Sequence, residues 1–137
     1  MLAFALALAN APTNAQAFGG MAVLEMVRDG QNDLTGVVSF HGVLATPTPL
    51  KPNTYQGKIL VLHGVDDPVV PDDQTMAFWK ELRDAKANWE FVAYGNALHT
   101  FTNWLMPEDG PPPAVYNKQA DRRSWIAMQD FFKEIFA

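Results

Sequence analysis

Cysteine is absent from this 137-residue chain. Its absence removes disulfides, thiolate zinc sites and thiol catalysis together. Serine is nearly absent, with only Ser39 and Ser124. Basic residues are sparse: 10 Lys and Arg stand against 15 Asp and Glu, for a net charge of −5. Arg122-Arg123 is the one adjacent basic pair, and it reads as the solvated face of a helix. No cluster exists to neutralise phosphates, so neither a nucleic acid nor an anionic membrane surface is an expected partner. No apolar run is long enough to span a bilayer. Internal repeats, heptads and composition shifts are also missing, which leaves one domain. A lack of cysteine does not settle the compartment; a cytoplasmic location is the expectation, with a secreted or periplasmic one as the alternative.

What is present is a globular composition, with 48% hydrophobic residues. The first eleven residues, MLAFALALANA, are apolar. Ala15-Gln16-Ala17 resembles a small-residue cleavage site, but no positive charge precedes the apolar stretch. Residues 1–17 are therefore read as a core-facing helix or a degenerate, signal-like segment, and residues 18–137 as the α/β domain. Gly36–Phe40, Lys58–Leu62 and Trp89–Tyr94 are expected strands. The first two are near-continuous apolar runs, as strands covered on both faces should be. Phe40-His41-Gly42 and Leu62-His63-Gly64 end their strands alike, and glycine there is expected to serve a sharp turn.

Helical patterns alternate with the strands. Met21–Arg28 carries Met21, Leu24 and Val27 at helical spacing, with Gly30 as a stop signal. Asp72–Ala85 opens on Asp72 or Asp73 as a cap, with Met76, Phe78, Trp79 and Leu82 as its apolar face. Lys118–Ile135 turns Trp125, Met128, Phe131, Phe132 and Ile135 inward. Such alternation predicts a parallel α/β sheet. Two proline-rich loops, at 46–55 and 106–116, read as connectors.

Asp67 follows a strand directly, in Gly64-Val65-Asp66-Asp67-Pro68. A carboxylate just past the carboxyl end of a strand lies where ligands bind in open α/β sheets. Asp66 or Asp67 could instead cap a turn. His99 sits in a short loop after the next strand, and imidazole suits both acceptance and return of a proton near neutrality. His41 and His63 read as hydrogen-bonded histidines at strand ends. The three histidines have no ligand spacing, so no metal site is expected. Upstream, Ala15-Gln16-Ala17-Phe18-Gly19-Gly20 stands before a helix, where a Gly-x-nucleophile-x-Gly turn would be placed. Alanine occupies the nucleophile position.

Four strings in this order resemble the C-terminal part of the dienelactone hydrolase family, α/β-hydrolases with a Cys-Asp-His triad. They are Phe18-Gly19-Gly20-Met21-Ala22, Val38-Ser39-Phe40-His41-Gly42, Leu62-His63-Gly64-Val65-Asp66-Asp67-Pro68 and Leu98-His99-Thr100-Phe101-Thr102-Asn103. The resemblance implies a truncated α/β-hydrolase fold, about three parallel strands flanked by helices. It implies Asp67 as the triad acid, His99 as the base and the Phe18 N–H as an oxyanion donor. It implies hydrolysis of a small ester or lactone without a cofactor. Ala17, at the nucleophile position, is not competent for that attack. Absent or vestigial activity in a fragment of the fold is then expected. The alternative expectation is a non-catalytic binding module, with a homodimer formed through an exposed sheet edge.

Overall fold

The computed structural model describes the backbone of residues 3–6 and 14–137, and side chains from residue 18 onward. In chain order the elements are β1 (Ala3–Leu6), α1 (Asn14–Arg28), β2 (Leu34–Phe40), β3 (Lys58–Gly64), α2 (Asp72–Asp84), β4 (Asn88–Tyr94) and α3 (Lys118–Ile135). The four strands form one parallel sheet in the order β1-β2-β3-β4. The three strands read from sequence are all present, and the architecture is α/β.

The fourth strand corrects the reading of the N-terminal segment. Ala3–Leu6 is not helical; it pairs in parallel with β2, Phe4 opposite Gly36 and Leu6 opposite Val38. Ala and Leu favour helix in isolation, but pairing with an existing sheet overrides so weak a preference. Residues 7–13 of the N-terminal segment lie outside the described residues.

Strand β2 is half-buried only at Thr35 and β3 only at Lys58; all their other residues are buried. Side chains alternate between two cores. Val37, Ile59 and Val61 face α1 and α2, where they meet Val23, Leu24, Val27, Phe78 and Leu82. Val38, Phe40, Leu60 and Leu62 face α3, where they meet Ala120, Met128 and Phe131. The result is three layers, helix on sheet on helix.

The predicted helical faces need two corrections. Met76 is 64% exposed and Trp125 47% exposed. The inward positions beside the correctly placed ones are small or polar: Thr75 on α2, Ala120 and Ser124 on α3. A helix lying close on a sheet needs small side chains at its closest approach. Helix α1 ends as expected at Gly30, where φ is +77°. Its N–H reaches Val27 O and that of Gln31 reaches Met26 O, the paired bonds of a Schellman cap. Helix α3 is capped by Asn117, whose side-chain oxygen accepts the Ala120 N–H at 2.9 Å.

Two contacts fix α1 in place. A Cβ on Gly20 would stand 2.7 Å from Gly42 Cα and 2.8 Å from Phe40 O. The two glycines therefore let helix backbone touch strand-end backbone. Ser39, fully buried, donates its hydroxyl to Gly20 O at 3.0 Å. Farther along, Arg28 enters a buried cluster. Its Nε and Nη2 take both oxygens of Glu81 at 2.8 and 2.9 Å, and Nη1 takes Glu25 at 2.6 Å. Nη2 also reaches Leu44 O, while Glu81 accepts the Leu50 N–H. One guanidinium thus ties α1, α2 and the 44–50 loop together.

Candidate active site

The carboxyl end of β3 is overlaid by the loop that follows β4. The Val65 N–H donates to Tyr94 O and the Asp66 N–H to Ala97 O, each at 3.0 Å. Gly64 makes that overlay possible: a Cβ there would lie 2.6 Å from Ala97 O and 2.7 Å from Leu98 O. Glycine at 42 and at 64 thus serves close backbone approach, and neither has a positive φ. The left-handed residue at the end of β2 is His41 itself, with φ of 38°.

This overlay brings His99 onto Asp67. The His99 Nδ1 lies 2.7 Å from Asp67 Oδ2. The Asp67 side chain is fully buried and that of His99 is 10% exposed. Asp67 Oδ1 accepts the Val69 N–H at 2.8 Å. So the turn-capping role and the histidine-facing role, alternatives in the sequence, belong to one carboxylate and its two oxygens. Asp66 is exposed. With Nδ1–H donated to Asp67, the neutral ring carries its lone pair on Nε2. Among the described residues, Nε2 takes no hydrogen bond.

Backbone bonds hold His99 from the other side. The Val115 N–H donates to His99 O and the Asn117 N–H to Phe101 O, so the end of the second proline-rich loop straps the histidine loop down. Thr100, a β-branched residue at φ of 57°, shows that the loop is held in a conformation it would not choose alone.

His41 and His63 are both buried, but only His41 has the side-chain hydrogen bond expected of each; His63 Nδ1 is buried without a partner among the described residues. His63 rests on Phe91, with ring centroids 5.4 Å apart. Burial lowers its pKa, against the pull of Asp67 and Asp72. His41 joins the site. Its Nε2 lies 2.9 Å from Thr102 Oγ1 and its ring stands edge-on to His99 at 5.9 Å. Burial, then the nearby His99, pushes its pKa down to about 3. Sequence position offered the signal, since His41 follows a buried strand, but not the contact.

Thr102 also lines a groove of about 550 Å³ with Trp104, Tyr116, Arg122, Trp125 and Ile126. Lys118 and Asp121 complete its mixed aromatic and charged lining, and Thr102 links it to His41.

The nucleophile region differs from the expected turn. Residues 14–20 are helical, so Ala17 and Phe18 lie inside α1. Alanine at 15 and 17 favours helix, and the first glycine that would permit a strained turn is missing. Phe18 is 64% exposed. At the fifth position of a regular helix, its N–H points at the carbonyl four residues back. Ser39 and Ser124 both donate to backbone carbonyls, of Gly20 and Asp121. No helix among the described residues is long and apolar enough to cross a membrane.

Known proteins resemble this chain in sequence and in fold. The solved structure named m3DLH matches with a TM-score of 0.79 and 36% identity, over 88% of this chain and 50% of that one. A dienelactone hydrolase-like promiscuous phosphotriesterase from metagenomic libraries matches with a TM-score of 0.73 and 37% identity, over 86% and 49%. The chain thus spans about half the length of these solved structures. An uncharacterized Caenorhabditis elegans protein is 32% identical over 123 residues, 87% of this chain and 76% of the worm protein. The sequence profile of the dienelactone hydrolase family matches residues 17–136. This chain belongs to the dienelactone hydrolase family.

Proposed function

We propose that this chain carries the acid–base part of a site for hydrolysing small carboxylic esters or lactones, and that Ala17 leaves its own turnover absent or vestigial. The observation that carries this reading is the 2.7 Å approach of His99 Nδ1 to the buried Asp67 carboxylate. Asp67 orients the ring and stabilises the imidazolium formed on proton transfer. His99 Nε2 is then the atom that takes a proton from an attacking group and returns it to the leaving alcohol. A methyl group cannot attack a carbonyl. Loss of the nucleophile in a comparable serine enzyme costs roughly a millionfold in turnover.

Hydrolysis of p-nitrophenyl acetate tests both halves. The purified chain should be no faster than its His99→Ala variant; a His99-dependent excess overturns the inactive part. Residue 17 lies within α1, three positions before Gly20, whose backbone meets Gly42. Ala17→Cys should therefore raise the rate, and His99→Ala should abolish that gain. A gain indifferent to His99, or none at all, removes support for the acid–base part.

A second reading is a non-catalytic assembly module. The outer edge of β4 faces no further strand among the described residues, and most of Asn88–Tyr94 is exposed or half-buried. Such an edge can pair with a second copy. A dimer by size-exclusion chromatography favours that reading, and a monomer removes it.

A further inference from the structure

We propose that His41 is a positioning residue for His99: held by Thr102 and Phe101 at the end of β2, its ring stands edge-on against the His99 imidazole and keeps Nδ1 on Asp67. The proposal rests on the acid–base reading of Asp67 and His99, and it assigns that pair a third member, with Thr102 and Phe101 holding it in place.

Three unfavourable features meet at His41. It is a non-glycine residue with φ of 38°, in a region that L side chains rarely occupy. It is 1% exposed, so a whole polar ring is desolvated. Its Nδ1 is buried with no hydrogen-bond partner among the described residues. An apolar residue of similar volume would avoid the last two. Strain and unpaired polar atoms gather at working sites because the surroundings are built to hold them. Here the surroundings are specific. The His41 N–H donates to Leu62 O at 2.8 Å, which anchors the residue to the end of β3. Its Nε2 meets Thr102 Oγ1 at 2.9 Å, and Phe101 packs edge-on at 5.1 Å and 83°. Phe101 and Thr102 lie two and three residues past His99, so the loop that carries His99 also grips His41.

The geometry explains what His41 adds. One hydrogen bond to Asp67 fixes the distance of the His99 ring but not its tilt, because the ring can pivot about Nδ1. The His41 ring, its centroid 5.9 Å from that of His99 and its plane at 64°, restricts that pivot. Deep burial keeps His41 neutral, so it backs the His99 imidazolium without adding a like charge.

The test reads the hydrogen-bonded Nδ1 proton of His99 by proton NMR at neutral pH, assigned by its loss in His99→Ala. It needs no ester hydrolysis, so failure of the p-nitrophenyl acetate experiment leaves it intact. In His41→Ala the downfield resonance should broaden or vanish through exchange with water, while the amide spectrum stays folded. An unchanged resonance overturns the proposal. Should His41→Ala fail to fold, Thr102→Val decides: broadening supports the clamp, and an unaltered line overturns it. Leu60→Ala opens a cavity elsewhere in the same core and should leave the resonance alone. If it broadens the line equally, the effect is general loosening and the proposal falls.

Discussion

Burial decides the protonation of His41, and through it the acid response of the molecule. An unfolded histidine titrates near pH 6.5, whereas folded His41 stays neutral down to about pH 3. Between those values the unfolded state binds the extra proton. Stability is therefore lost as pH falls from about 6.5 toward 3. His63 shifts the same way and adds to the slope. Urea midpoints measured across this window should decline more steeply for the native chain than for His41→Asn. Asparagine tolerates a positive φ and does not titrate. The difference should approach ~1.4 kcal/mol per pH unit inside the window, the value for one proton. Parallel curves would show that His41 protonates in the folded protein. Asp67 and His99 were legible at this scale because strand, glycine, aspartate and proline in sequence describe a local environment. His41 was legible only as a strand-end residue, since its partners lie 58 to 61 positions away.

Elements meet here through glycines, and each meeting has a substitution that reports it. A Cβ at residue 64 must displace the backbone carbonyls of Ala97 and Leu98. Backbone yields less readily than a side-chain tip, and such overpacking costs typically about 1–3 kcal/mol. Gly64→Ala should therefore destabilise the chain by that amount in urea unfolding. It should also weaken the Asp67–His99 bond, since the displaced segment leads into His99. Loss of the His99 Nδ1 proton signal in a folded Gly64→Ala protein is the expected result; an unaffected signal would show that the loop hinges elsewhere. The glycines themselves stood out in the sequence, but their purpose did not. A turn requirement can be read from neighbours, whereas a close approach depends on a segment thirty residues on. The same reasoning covers the helices. The end of α1 was written in Gly30, a local signal, but α1 begins at Asn14 rather than Met21, and α2 follows Pro71 with no side-chain cap from Asp72 or Asp73. The inward faces were not legible: Thr75, Ala120 and Ser124 are buried, while Met76 and Trp125 are exposed.

At the scale of the whole molecule, one face of the sheet carries two helices with an ionic link between them. The side chains of Arg28 and Glu81 are 2% and 7% exposed. Burial alone would lower the Arg28 pKa, but Glu81 and Glu25 outweigh it and hold the guanidinium above its usual value. Removing Glu81 leaves the buried guanidinium with Glu25 as its one remaining carboxylate among the described residues, at a cost of up to about 3–5 kcal/mol. Glu81→Ala should lose stability on that scale by urea unfolding. The double change Arg28→Met with Glu81→Leu should recover most of it, since a well-packed apolar pair replaces a buried ion pair with little penalty. A double variant as unstable as the single one would mean that Leu44 O and Leu50 N–H, left unpaired, carry the larger share. No sequence pattern announced this link, because its partners are 53 residues apart and each is common on a helix surface.

The strap from Val115 and Asn117 onto His99 and Phe101 is made entirely of main-chain groups. Main-chain bonds are indifferent to which side chains flank them. The residues of 104–116 that face outward, Trp104 and Leu105 among them, are thereby free to drift or be diversified while the imidazole stays put. A lineage exploring new ligands could rewrite that rim one position at a time, without rebuilding the chemistry beneath it.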